Sequence, residues 1–176
     1  GVLPVSECRG FHGQPGFDVM RSSALANVVR VLESILLALW VGALWTVGFG
    51  VAPVLFAELD RHTAGSIAGI LFHYLNLAGL LIGGFLLLRN RLNAAAATAP
   101  ALLLALMLLG ILINEFGFAP AIAALREAGF APGSAEARRF GLLHGAASVL
   151  YVINALFGLT LLVIWERRSA RTGCLN

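Results

Sequence analysis

The chain has 176 residues, a length that in a soluble protein makes one domain with one core. Its composition excludes that reading: 59% of the residues are hydrophobic, 12% are charged and the mean hydropathy is +0.88, whereas soluble domains are roughly 45–50% apolar and about 25% charged. The same composition, with 20 Gly in no triplet period and two Cys, excludes disorder, a collagen-like fibre and a disulfide scaffold. The chain reads as an integral membrane protein with the lipid bilayer as its first partner. Its formal charge of +3 rests on twelve Arg and no Lys. These lie in short segments between apolar runs rather than on one face, so no nucleic acid is expected as a partner.

In chain order, residues 1–19 come first, with Gly1, Pro4, Gly10, Gly13, Pro15 and Gly16 and no apolar run long enough for a signal peptide. This segment is expected to be a disordered N-terminal extension, with Met20 as a natural start. Four charge-free stretches follow, at 34–57, 62–88, 92–114 and 140–165. Each exceeds the roughly 20 residues that a helix rising 1.5 Å per residue needs to cross about 30 Å of hydrocarbon. They are rich in Leu and Ala and lack two-residue alternation, so they are helices rather than barrel strands. Pro53 is expected to kink the first.

The connections at 58–63 and 89–93 are short enough only to reverse the chain. The third, 115–139, holds Pro120, an apolar-spaced stretch at 121–128 and the turn signal Ala131-Pro132-Gly133-Ser134. It reads as a short interfacial helix and a turn. The expected fold is therefore all-α: an integral membrane four-helix bundle, up-down-up-down, with a short interfacial helix between helices three and four, over residues 20–168, and a cytoplasmic tail at 169–176. Arg21, Arg30, Arg89, Arg91, Arg167, Arg168 and Arg171 fall on one side and Arg61, Arg126, Arg138 and Arg139 on the other, which puts both termini in the cytoplasm, the membrane being the bacterial inner membrane. Cys8 and Cys174 sit near opposite ends and form neither a metal knuckle nor a redox pair.

Polar residues in the spans are grouped. The second stretch puts Gly65, Gly69, His73, Asn76 and Gly83 within about 80° of one another at 100° per residue. The fourth does the same with Gly141, His144, Ser148, Tyr151 and Gly158, beside Gly145 and Asn154. The simpler reading is a packing stripe: small residues, as in Gly65xxxGly69 and Gly79xxxGly83, let helices approach and polar side chains bond across the contact. The sharper reading makes His73 and His144 metal ligands, since ionisable groups inside a membrane mark function. Against it, the two differ in depth by about 9 Å at 1.5 Å per residue.

Asn114 and Glu115 read as the hydrated outer end of helix three. With Glu58, Asp60 and His62 they form an outer polar face that could attract cations. No nucleophile–base pair, phosphate loop or paired carboxylate is present, so the chain is expected to be no enzyme and to carry no cofactor.

The runs Leu39-Trp40-Val41-Gly42, Ala52-Pro53-Val54-Leu55-Phe56, Ala64-Gly65-Ser66-Ile67-Ala68-Gly69-Ile70-Leu71-Phe72 and Leu143-His144-Gly145-Ala146-Ala147-Ser148, with Asn154, resemble the transmembrane protein 205-like family. The resemblance spans about residues 25–168. It implies a four-helix membrane domain of unknown biochemical function, related in fold to the copper-resistance D type, with Pro53, Gly65, Gly69, His144, Gly145, Ser148 and Asn154 as characteristic positions. The expected function is non-enzymatic binding or assembly within the bilayer, with a second copy or another membrane protein as partner. The alternative is metal handling or small-solute transport at the outward-facing polar site.

Overall fold

The computed structural model describes residues 15–92 and 98–173, all helical apart from short connections, with no strand among them. Two compact units are present, residues 1–32 and 33–176. In the first, the described residues are the N-terminal part of helix α1, Pro15–Trp45. The extension expected at 1–19 is thus helical from residue 15, and residues 1–14 lie outside the described residues. The remaining elements belong to the second unit: a π-helical segment Thr46–Val51, α2 Ala52–Glu58, α3 Arg61–Leu92, α4 Thr98–Ile113, a second π-helical segment Asn114–Phe118, α5 Ala119–Ala128 and α6 Ala135–Gly173. The tail expected at 169–176 is helical through Gly173.

Four of these helical stretches are long and apolar enough to cross a bilayer: Asn27–Glu58, Arg61–Leu92, Thr98–Ala128 and Ala135–Arg167. Within the second unit, one buried stripe holds them together. Leu37, Trp40 and Leu44 of α1 meet Leu75 and Leu86 of α3, Leu104, Met107 and Ile111 of α4, and Leu161 of α6. The opposite faces stay apolar and exposed, as at Leu81 and Leu142, which is the pattern a lipid surround requires.

The sequence places the end of the third span too early. Asn114 and Glu115 do not stop the helix: α4 continues through Asn114–Phe118 into α5, and the span closes only at Ala128. A five-residue backbone bond, Ala119 N–H to the Asn114 carbonyl, widens the turn just before Pro120. Pro120 then sits in the first turn of α5, directly after the widened turn. Pro53 is accommodated the same way, with Ala52 N–H on the Val47 carbonyl and the proline in the first turn of α2. The helix expected at 121–128 is therefore continuous with the third span. The turn at 131–134 is present, with Gly129 and Gly133 at φ 67° and 80° and Ser134 N–H on the Ala131 carbonyl at 3.1 Å.

Candidate functional site

Glu115 is the residue around which the polar side chains gather. Its side chain is 14% exposed inside the third span. One carboxylate oxygen bonds Nδ1 of His73, and the other accepts from Nδ2 of Asn76 at 2.9 Å, both from α3. His73 and Asn76 lie three residues apart on a helix, which puts them on one face and lets both reach the same carboxylate. A carboxylate within an apolar span is costly unless hydrogen-bonded, and this one is bonded through both oxygens.

Beside this triad lies a cavity of about 10 Å³, lined by Asn76, Asn114, Tyr151 and Asn154 together with Gly110 and Leu150. That volume is at the lower limit for one water-sized occupant. Asn76 and Asn154 are 4% and 6% exposed. The Tyr151 hydroxyl donates to the Leu44 carbonyl, and its ring meets Phe72 edge-on at 5.0 Å between centroids. Trp45 Nε1 donates to the Ala155 carbonyl at 3.3 Å, a further tie between α1 and α6.

The residues singled out from the sequence separate into groups. Glu58, Asp60 and His62 are exposed in and around the α2–α3 connection, where Asp60 caps α3 by accepting from the N–H groups of His62 and Thr63 at 3.0 Å. They do not join Glu115, whose partners are His73 and Asn76, so the single polar face expected of these five residues is divided. Asn114 goes to the cavity instead.

The Gly65xxxGly69 notch seats no helix backbone. The Arg126 side chain of α5 lies there, with Nη1 donating to the Gly65 carbonyl at 2.8 Å. Gly79 and Gly83 do serve packing, against the ring of Trp40. His144, Gly145 and Ser148 are exposed on α6: His144 stacks on Phe140, and Ser148 Oγ donates to the His144 carbonyl at 2.8 Å. The two imidazoles therefore take different partners, and no group of three metal-ligating side chains occurs among the described residues.

Glu33 had no role in the sequence analysis, and Arg89 and Arg126 entered it only through the arginine count on each side. Glu33 of α1 accepts from Arg89 Nε at 2.9 Å. A lone acid within an apolar stretch and an arginine at the far end of the next is the signal that could have paired them.

Four bilayer-length apolar helices around a paired carboxylate are those of a multi-pass membrane protein. The chain belongs to the family described as a domain of unknown function (DUF4149), whose model matches residues 35–131. That range takes in His73, Asn76 and Glu115 and ends before α6. No curated protein and no solved structure matches the chain.

Proposed function

We propose that this is a non-enzymatic membrane protein that handles a small inorganic cation, and that Glu115 is the group through which it does so. One observation carries the reading: a carboxylate lies within a span, little exposed, and is held by a histidine and an asparagine of the neighbouring span. Ionisable groups at such depth are retained for ion or proton pathways far more readily than for packing, because an apolar pair would hold two helices together without the desolvation cost. Of the two functions expected from the sequence, this supports small-solute transport over assembly alone, with Glu115, His73 and Asn76 proposed as the site in place of the outer face. The proposal includes the finer architecture: spans running up-down-up-down, both termini in the cytoplasm of a bacterial inner membrane, and membership of the transmembrane protein 205-like group.

The purified chain, reconstituted into phosphatidylcholine vesicles carrying dyes for sodium, potassium and pH, tests this. The parent should collapse one of the three gradients faster than empty vesicles do, and Glu115→Gln should return the rate to that of empty vesicles. Parent vesicles that hold all three gradients as long as empty ones would overturn the proposal in favour of assembly.

A further inference from the structure

We infer that the cavity between Asn76 and Asn154 binds one monovalent cation of sodium size, stripped of its water. The inference rests on the cation-handling role of Glu115 and adds where the ion sits and what recognises it.

The second unit is built from two similar halves. The pattern Phe-Gly-x-Ala-Pro occurs at 49–53 and again at 116–120, each time with the Phe and Gly in a π-helical segment and the Pro in the helix that follows. In the next span of each half an asparagine follows three residues after a polar ring, as His73 and Asn76 in α3 and as Tyr151 and Asn154 in α6. The contacts cross between halves in the same way. His73 meets Glu115, which immediately precedes the second Phe-Gly, and Tyr151 lies against Gly48, which immediately precedes the first. Leu37, Trp40 and Leu44 are buried at the same distances before the first pattern as Leu104, Met107 and Ile111 before the second. Asn76 and Asn154 are thus equivalent residues, and both line the cavity. In membrane proteins with repeated halves, the ion site lies where the halves meet and draws on irregular helix turns.

Asn154 is the observation that asks for an occupant. Its amide is 6% exposed, lines the cavity and has no hydrogen-bond partner among the described residues. Buried amides are almost always bonded, so this one is poised for something that fills the space.

The lining selects the occupant's chemistry. Asn76 commits its amide hydrogen to Glu115, which leaves its carbonyl oxygen to offer. Asn114 and Asn154 add amide oxygens to the lining, a donor chemistry suited to a hard cation rather than to a soft metal. Glu115 brings one carboxylate to the lining through its bond from Asn76, which disfavours an anion, and a single carboxylate falls short of what a divalent ion needs. A volume of about 10 Å³ has room for one occupant the size of a bare ion or a water.

Thermal unfolding of the full chain in detergent, titrated with sodium chloride against choline chloride at constant ionic strength, is the test. Sodium should raise the parent Tm by several degrees with saturation. A methyl at Gly110 would lie 3.6 Å from Leu150 Cδ1 and 3.7 Å from Asn154 Oδ1, ordinary contacts. Gly110→Ala should therefore fold and, with its methyl in the cavity, lose the sodium-dependent rise. Asn154→Asp adds a charge and should lower the half-saturating sodium concentration at least tenfold. No sodium dependence in the parent, or a rise that Gly110→Ala keeps, would show that the cavity holds water only and would overturn the site. If gradient collapse depends on Glu115 while sodium leaves Tm unmoved, the site fails and the function stands. If sodium raises Tm without any flux, the site stands and the transport reading fails.

Discussion

Tyr151 fills the notch that Gly48 leaves in the first span, and its hydroxyl donates to the Leu44 carbonyl one turn earlier. A side chain of any size at residue 48 would overlap the tyrosine ring and lie 2.9 Å from its hydroxyl oxygen, so the π-helical segment and the aromatic ring are fitted to each other. Gly48→Ala should lower stability in detergent by about 1–3 kcal/mol through overpacking. Gly50→Ala, with nothing within 4 Å of the added methyl, should be neutral or slightly stabilising. Tyr151→Phe keeps the fit and loses the hydrogen bond, for about 1 kcal/mol. The three melting temperatures measured side by side check the ranking, and a Gly48→Ala variant as stable as Gly50→Ala would refute the fitted notch.

The two small-residue pairs of α3 should respond differently because different groups occupy them. A methyl at Gly79 would stand 2.7 Å from Trp40 Nε1 and 2.9 Å from Ile111 Cδ1, both in the buried stripe. Neither neighbour can retreat without disturbing the core, and Gly79→Ala is expected to cost about 1–3 kcal/mol. At Gly69 the methyl meets only Arg126 Nη1, at 3.7 Å, the end of a long side chain. Gly69→Ala should be tolerated or gain up to about 1 kcal/mol from helix propensity. Equal losses in thermal unfolding would mean that Arg126 is held as rigidly as Trp40.

How far the sequence could be read is clearest at residues 115 and 126. The four spans were legible because a charge-free run of bilayer length has one solution in lipid, and all four are present. The end of the third was misread because a carboxylate after an apolar run looks like a helix reaching water. Its compensating groups, His73 and Asn76, lie 42 and 39 residues earlier on another helix, where local pattern cannot pair them. A correcting signal does exist: Phe-Gly-x-Ala-Pro at 49–53 lies inside an uncharged run, so its second copy at 116–120 should also lie inside a span rather than after one. The glycines at 65 and 69 were legible as a notch but not by occupant, since a guanidinium arriving from α5 leaves no trace in the spacing of α3.

Asp60 gives a pH dependence outside the spans. Hydrogen bonds from Thr63, side chain and backbone, and from the His62 N–H hold its carboxyl below the usual carboxylate range. The ionised form is therefore favoured more in the folded chain than in the unfolded one. Its stabilising contribution is complete above the ordinary carboxylate value of about 4 and is lost as pH falls through the lowered folded value. Melting curves of the parent and Asp60→Ala between neutral pH and pH 3 should show a gap that is widest at neutral pH and closes in acid. A gap that stays constant would mean that the capping bonds to His62 and Thr63 do not depend on the charge.

The pairing of His73 with Glu115 can be separated from the role of either residue alone by a double-mutant cycle. His73→Gln keeps a donor on a different stem, and Glu115→Gln keeps the shape while removing the charge; the first leaves a carboxylate that is 14% exposed without its imidazole, and the second leaves an imidazole that is 57% exposed. If the two residues act as one unit inside the span, the double variant should lose much less than the sum of the single losses, with a coupling of about 1–3 kcal/mol, and Asn76→Leu should couple to Glu115→Gln in the same sense through its 2.9 Å bond. His144→Gln is the internal control: its ring is exposed on α6 and stacked on Phe140, so its effect should stay within about 0.5 kcal/mol and add to that of His73→Gln. Additivity between His73 and Glu115 would show that the intramembrane carboxylate draws nothing specific from the imidazole. Strong coupling between His73 and His144 would instead show a shared site that the separate partners of the two rings argue against.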